Sequence, residues 1–429
     1  MQTAGKKIKG GHFMFRIKHF LLVFSVFLIM GVITACSGGD SASSSEANQA
    51  EGSDQVTLEI WDFMQGRDAY INVIEKFNEE HEDIQIKRTE ITRSNFDSKM
   101  INAAAANELP DLFVNSHSRF QAFADAGIAA NISKMINESG LDQKFFEGSL
   151  EPQIFKGDYY GLPLYNNDLA LYYNKEMFEK AGLDSPPETW EDIRDYASKL
   201  TNDNVYGLAM AGSKDEQGTF NFLPWIWQAG ADLDTLSSEE GVNAIEFRQT
   251  LLEDGSVSKE MLNWQQNDAN LQFLSEQAAM QINGSWNVPT LNQEADFEWA
   301  VAELPKGKQR ATIIGGEAIG IGSTSKHKEE AFEFMKFFYD DETYKSFILE
   351  DGNLPSVKAI AEAPEIVNDP NMKVFTKGLE YAKSRAYGPN YPEISAVVQE
   401  LVQATVLGKD AKKIAKEAEK EIKPLLMTE

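Results

Sequence analysis

The sequence is poor in the residues that staple small proteins or hold metals. It contains one cysteine, Cys36, in 429 residues, so no intramolecular disulfide can form and stability must come from a buried core. The five histidines, His12, His19, His81, His117 and His327, are scattered, and no HExxH pattern or Cys/His metal spacing occurs. A phosphate-cradling GxxxxGK[ST] loop, a GxSxG elbow and a GxGxxG turn after a strand are missing as well. Apolar runs are scarce: Phe20 to Met30, continued by Gly31, Val32 and Ile33, is too short and too one-sidedly flanked for a membrane span. Cations are outnumbered, 40 Lys and Arg against 67 Asp and Glu, for a formal charge of -27. Such a surface repels nucleic acid and anionic lipid, and no nucleic-acid partner is expected. So many acids also make any carboxylate pair uninformative about catalysis. Neither an enzyme nor a metal or cofactor is expected.

What the sequence does contain begins with a processing signal. Lys6, Lys7, Lys9, Arg16 and Lys18 precede the apolar run, as in a signal peptide over 1–35. The run ends in Val32-Ile33-Thr34-Ala35-Cys36-Ser37, which resembles the lipobox of bacterial lipoproteins and implies a lipid on Cys36. Residues 36–54 carry Ser, Gly, Ala, Asn and acid with no large apolar side chain, the composition of a flexible tether. The chain beyond it exceeds what one hydrophobic core usually serves, so two lobes are expected from Gln55 onward.

Periodicity gives the texture of those lobes. Val56 to Trp61 alternates as a strand does, and Ile71, Ile74 and Phe77 fall at helical spacing within Asp68 to Glu80. Ile84 and Ile86 start a second strand, and Ser94 is the expected N-cap of a helix carrying Phe96 and Met100. Asp111 to Val114 reads as a buried strand, followed by a helix that Gly127 stops. The pattern returns with a strand at Leu169 to Tyr173, a helix at Trp190 to Leu200 and a strand at Ala278 to Ile282. Helices follow over Lys326 to Tyr339, Ile394 to Leu407 and Ala411 to Leu426. Alternating strands and helices predict an α/β first lobe with a largely parallel sheet, and the return of the pattern predicts that the second lobe is α/β as well.

A carbohydrate site needs flat aromatic faces for the C–H surface of a pyranose and planar polar side chains for neighbouring hydroxyls. Both kinds of residue stand beside predicted loops. Trp61 closes the first strand, Trp225 and Trp227 lie near Gly230, Trp286 follows Asn283-Gly284-Ser285, and Tyr387 and Tyr391 occupy a Pro- and Gly-containing segment. Asn115-Ser116-His117-Ser118-Arg119 follows a strand, where open α/β sheets bind ligands. Asn166-Asn167-Asp168 precedes another strand, and Gly315-Gly316-Glu317 would let backbone amides come close to a ligand.

These residues fall within phrases that resemble the extracellular solute-binding proteins of carbohydrate ABC importers, the maltose-binding-protein-like family. The phrases are Glu108-Leu109-Pro110-Asp111-Leu112-Phe113, Gly161-Leu162-Pro163 through Leu171-Tyr172-Tyr173-Asn174-Lys175, Ala181-Gly182-Leu183 to Thr189-Trp190, Ala278 to Trp286, Glu303-Leu304-Pro305, and Gly315-Gly316 leading to Ser325-Lys326-His327. The resemblance implies a two-lobed periplasmic-binding-protein-like fold with the ligand cleft between lobes. One lobe would comprise 55–165 plus about 302–340, the other 166–301 plus about 341–429, with crossings near Pro163–Asn167 and Val301–Pro305. It implies ligand contacts at Trp61, Gln65, Asn115, Ser118, Arg119, Asn167, Asp168, Trp225, Trp286, Gly316, Glu317 and Tyr391. Asn115 departs from the maltose-binding members, which carry an aromatic there, and this counts against a maltodextrin without disturbing the class. The implied role is capture of an extracellular sugar by a monomer, lipid-anchored through Cys36 outside a Gram-positive cell, and delivery to ABC permease subunits. Two alternatives stand: binding of another solute such as a peptide, polyamine or metal chelate, and a secreted glycan-degrading enzyme.

Overall fold

The computed structural model describes residues Gln55–Leu426. The signal peptide, Cys36 and the tether lie outside the described residues, among which no helix is long and apolar enough to cross a membrane.

The strands in chain order are β1 Val56–Asp62, β2 Ile84–Glu90, β3 Leu112–Ser116, β4 Ile154–Phe155, β5 Asp158–Tyr159, β6 Leu162–Pro163, β7 Leu169–Asn174, β8 Met280–Gly284, β9 Trp299–Ala302, β10 Thr312–Ile313, β11 Glu317–Ile321 and β12 Ala382–Lys383. The first lobe is built on a five-stranded sheet ordered β2-β1-β3-β11-β6. Its β1, β2 and β3 run parallel, while β11 is antiparallel to both neighbours. Side chains alternate across this sheet. Leu58, Ile60, Leu112, Val114, Ile319 and Ile321 meet a core with Phe77, Phe334 and Phe338, whereas Trp61, Phe113 and Ala318 face Phe96, Phe120 and Phe123.

The second lobe is built on a different sheet. Its central sheet, β8-β7-β9, is antiparallel throughout. Its helices still cover both faces: Leu171 and Ile282 meet Ile193, Phe222, Ile245 and Val398, and Ala170 and Tyr172 meet Phe273, Leu291 and Phe375. Periodicity reports a strand and its buried faces but not its direction, which long-range pairing decides.

Most local signals hold. The helices Asp68–Glu80 and Trp190–Leu200 have the expected limits, the latter closed by a Thr189/Asp192 capping box. Ser94 is not an N-cap: the helix Arg93–Ala106 starts from Thr92, leaving Ser94 in its first turn.

Chain crossings are set by which core each side chain enters. Leu164 and Tyr165 pack in the first lobe and Leu169 in the second, so the first crossing is at 166–168, close to expectation. The second expected crossing, Val301–Pro305, is corrected: Leu304, Ala311 and Ile313 remain in the second core and Ile319 enters the first, so the chain crosses at 314–316. The two crossings pair, with the Asn167 amide donating to the Gly315 carbonyl at 2.9 Å and the Gly315 amide returning the bond at 2.8 Å. A third crossing lies between the helices Pro364–Val367 and Pro370–Gly378. The assignment of 341–366 to the second lobe is therefore also corrected, because Tyr344, Phe347, Ile348, Ile360 and Ile366 all fill the first core.

Candidate functional site

The carboxyl ends of β1 and β3 and the crossing before β11 present one polar surface, and the helices Glu216–Ala229 and Tyr391–Val406 with the segment after β12 present another. The two meet around a void of about 10 Å³ lined by His117, Ser118, Pro152, Ile314, Ser384 and Arg385. That is room for about one water and for no sugar ring.

On the first lobe, Asn115 donates to Asp97 at 2.9 Å and accepts from the Ser116 amide at 2.8 Å. Arg119 pairs with Asp97 at 3.0 Å but leaves Nη1 without a partner, and the buried Ser118 hydroxyl has none among the described residues. Glu317 pairs with Arg93 at 2.6 Å. Burial opposes ionisation of Glu317, but Arg93, Tyr165 and Arg67 together outweigh it and hold the carboxyl below its ordinary value. The Glu317 carbonyl lies 3.1 Å from His117 Nε2. Burial, with help from Arg385 and against Glu317, pushes the His117 imidazole down to about 4, so it is neutral at physiological pH. Gly316, at φ 137°, sits where a Cβ would run into the Tyr165 carbonyl, which makes glycine the residue this crossing requires.

On the second lobe, Asp215 caps the helix Glu216–Ala229 and sets Glu216 in its first turn. The Glu216 carboxylate receives the Arg385 guanidinium, the Tyr391 hydroxyl at 2.6 Å and the Ser395 hydroxyl at 2.5 Å. Burial raises the Glu216 carboxyl, yet Arg385, Arg119 across the interface and the two hydroxyls more than offset it, leaving the group ionised. The Arg385 guanidinium lies 4.6 Å over Phe220, whose ring centre is 6.3 Å from that of Trp286. Trp286 is half-buried, its indole laid over Gly284 so closely that a Cβ there would overlap the ring.

The structure thus gathers Asn115, Ser118, Arg119, Gly316, Glu317, Trp286 and Tyr391 around the interface, together with Asn167, whose side-chain oxygen shares the space beside Gly315 with Phe220. Gln65 is exposed on the loop after β1. Three other sequence candidates sit differently. Trp225 is corrected to a core residue, 3% exposed and packed 5.7 Å from both Trp190 and Phe247. Trp61 is nearly buried beneath the Lys99 ammonium, 4.1 Å over its ring, so that face is taken. Asp168 is buried at the crossing against Gly378 with neither oxygen partnered among the described residues, and burial raises its carboxyl well above the ordinary value. Burial therefore favours its protonated form. Glu216, Arg385 and Phe220, which share this interface, went unmarked in the sequence, since composition and spacing carried no signal for them.

Two lobes are thus joined by paired crossings, with charge-balanced polar faces between them, the architecture of a solute-binding protein. The chain belongs to the bacterial extracellular solute-binding protein family, whose model matches residues 72–374, and such proteins act outside the cytoplasm. It is 26% identical over 321 residues to the maltotriose-binding protein of Pyrococcus abyssi, covering 70% of this chain and 67% of that one. With the galactooligosaccharide-binding protein of Bacillus subtilis it shares 22% identity over 399 residues, 87% and 89% of the two chains. A solute-binding protein of Thermotoga lettingae, solved with α-D-tagatose bound, superposes with a TM-score of 0.81 at 26% identity, covering 87% of this chain and all of the other.

Proposed function

We propose that this chain captures a carbohydrate between its lobes, closes on it and hands it unaltered to the permease of an ABC importer, held at the outer membrane surface by a lipid on Cys36. The observation that carries the reading is the interface itself: a half-buried indole, Trp286, on the same lobe as a buried guanidinium nitrogen, Arg385 Nε, and opposite the Ser118 hydroxyl, both without partners among the described residues. A sugar offers an apolar ring face and many hydroxyls, each of which must be partnered once buried at a cost otherwise of about 1–3 kcal/mol. Facing lobes supply that enclosure, and interactions that form only on closure make the ligand the closing agent. The named sugar-binding relatives point the same way. A thermal-shift screen of neutral mono- and oligosaccharides tests it: ligand at a hundred times its dissociation constant stabilises by about 2.7 kcal/mol. A screen in which peptides or polyamines shift the transition and saccharides do not would overturn it. Chromatography of the recovered sugar should show no cleavage products.

A further inference from the structure

We propose that Arg385 is the residue through which the second lobe grips its ligand, opposed by Ser118 and Gln153 of the first, and that this grip takes adjacent hydroxyls of an uncharged saccharide rather than an anion. The inference rests on the carbohydrate reading above and names the groups that carry it. Ser118 and Arg385 line the void between the lobes from opposite sides, and Pro152, next in the chain to Gln153, closes its wall. Among the described residues, the Ser118 hydroxyl and Arg385 Nε of its lining are buried without partners, and so are Arg119 Nη1 and both amide atoms of Gln153, each next in the chain to a lining residue. Native proteins leave few buried polar groups unsatisfied, so several on facing surfaces mark where a polar partner is received. A guanidinium edge and a primary amide each meet two neighbouring hydroxyls at once.

Charge decides against an anion. Arg385 is neutralised by Glu216, Arg119 by Asp97 at 3.0 Å and Arg93 by Glu317 at 2.6 Å, so a phosphate or carboxylate would meet carboxylates already in place. Glu216, fixed by the Tyr391 and Ser395 hydroxyls, is the positioning residue that turns Arg385 toward the void.

The test is calorimetry and melting temperature on the wild type and on Ser118→Ala, Arg385→Lys and Glu216→Gln. The probes are tagatose, maltotriose, mannotriose and a galactooligosaccharide as neutral saccharides, with sn-glycerol 3-phosphate as the anion. The wild type should bind at least one neutral saccharide and not the phosphate. Arg385→Lys, which keeps the charge but loses the fork, should weaken that saccharide at least tenfold. Ser118→Ala should weaken it severalfold while the melting temperature stays level or rises, because the hydroxyl has no partner in the fold. A merely structural serine would leave affinity unchanged. Glu216→Gln should weaken the saccharide while Arg385→Lys adds little to it in the double variant. If the saccharide binds Arg385→Lys and Ser118→Ala as it binds the wild type, this inference is wrong and the carbohydrate reading survives. If sn-glycerol 3-phosphate binds the wild type, tightens in Glu216→Gln, and no saccharide binds, the carbohydrate reading falls with it.

Discussion

Replacing His117 by Gln should flatten the acid limb of this protein's stability. The imidazole is buried beneath the interface, 3.1 Å from the Glu317 carbonyl and within reach of the Arg385 charge, and its pKa falls from 6.5 to about 4. A carbonyl only accepts, so Nε2 carries the proton of the neutral ring. Because the folded pKa is depressed, the unfolded chain binds more protons between pH 4 and 6.5. The stabilisation from a neutral His117 is therefore complete above pH 6.5 and disappears as pH falls toward 4. At 1.36 kcal/mol per unit the swing amounts to about 3 kcal/mol. Asp168 acts in the opposite sense, since its folded pKa is raised and it favours the folded state at acid pH. Comparison of His117→Gln with the wild type cancels that contribution, because both proteins keep Asp168. Urea unfolding at half-unit steps from pH 4 to 7 should give the wild type the steeper loss on acidification, by about 3 kcal/mol over that range relative to the variant. Parallel curves through that range would show that His117 does not carry the pH dependence and would refute the reasoning from burial.

Other perturbations separate the site from the core. Trp286→Ala should weaken sugar binding by an order of magnitude or more in calorimetry with the fold intact, since stacking and area burial together are worth about a few kcal/mol; unchanged affinity would assign the indole to packing. Trp225→Ala should instead cost roughly 3–5 kcal/mol of unfolding free energy by denaturant titration, as a core truncation does. Asp168→Asn should leave stability little changed at acid pH and become progressively stabilising as pH rises above the ordinary carboxylate range, because an amide cannot be forced to ionise at a buried site; urea unfolding across that range checks it, and a constant difference would refute it. Cys36→Ser should move the protein from the membrane fraction to the medium or leave its leader uncleaved; intact mass showing an unmodified cysteine on the native membrane-bound form would oppose lipidation. Small-angle scattering should show a smaller radius of gyration with saturating sugar, and an unchanged curve together with an unchanged inter-lobe distance label would refute lobe closure.

The sequence by itself determined the local elements and the strand exit that the first lobe brings to the interface. Alternation from Val56 to Trp61 and helical spacing from Asp68 to Glu80 are properties of neighbouring residues, and the strand exit at Asn115–Arg119 follows from where the next turn must begin. The tertiary structure alone decided what depended on distant partners. Trp225 and Trp286 look alike in sequence, each beside a glycine-containing turn, yet one is enclosed by Trp190 and Phe247 and the other keeps part of its indole open beside Phe220. The helix Asp341–Asp351 stays with the first lobe, and only its packing there shows that the third crossing comes after it. Glu216 and Arg385 are ordinary charges until the fold closes 169 residues of chain between them and buries both. Burial and pairing are properties of contacts, and contacts between residues so far apart leave no periodicity in the chain that makes them.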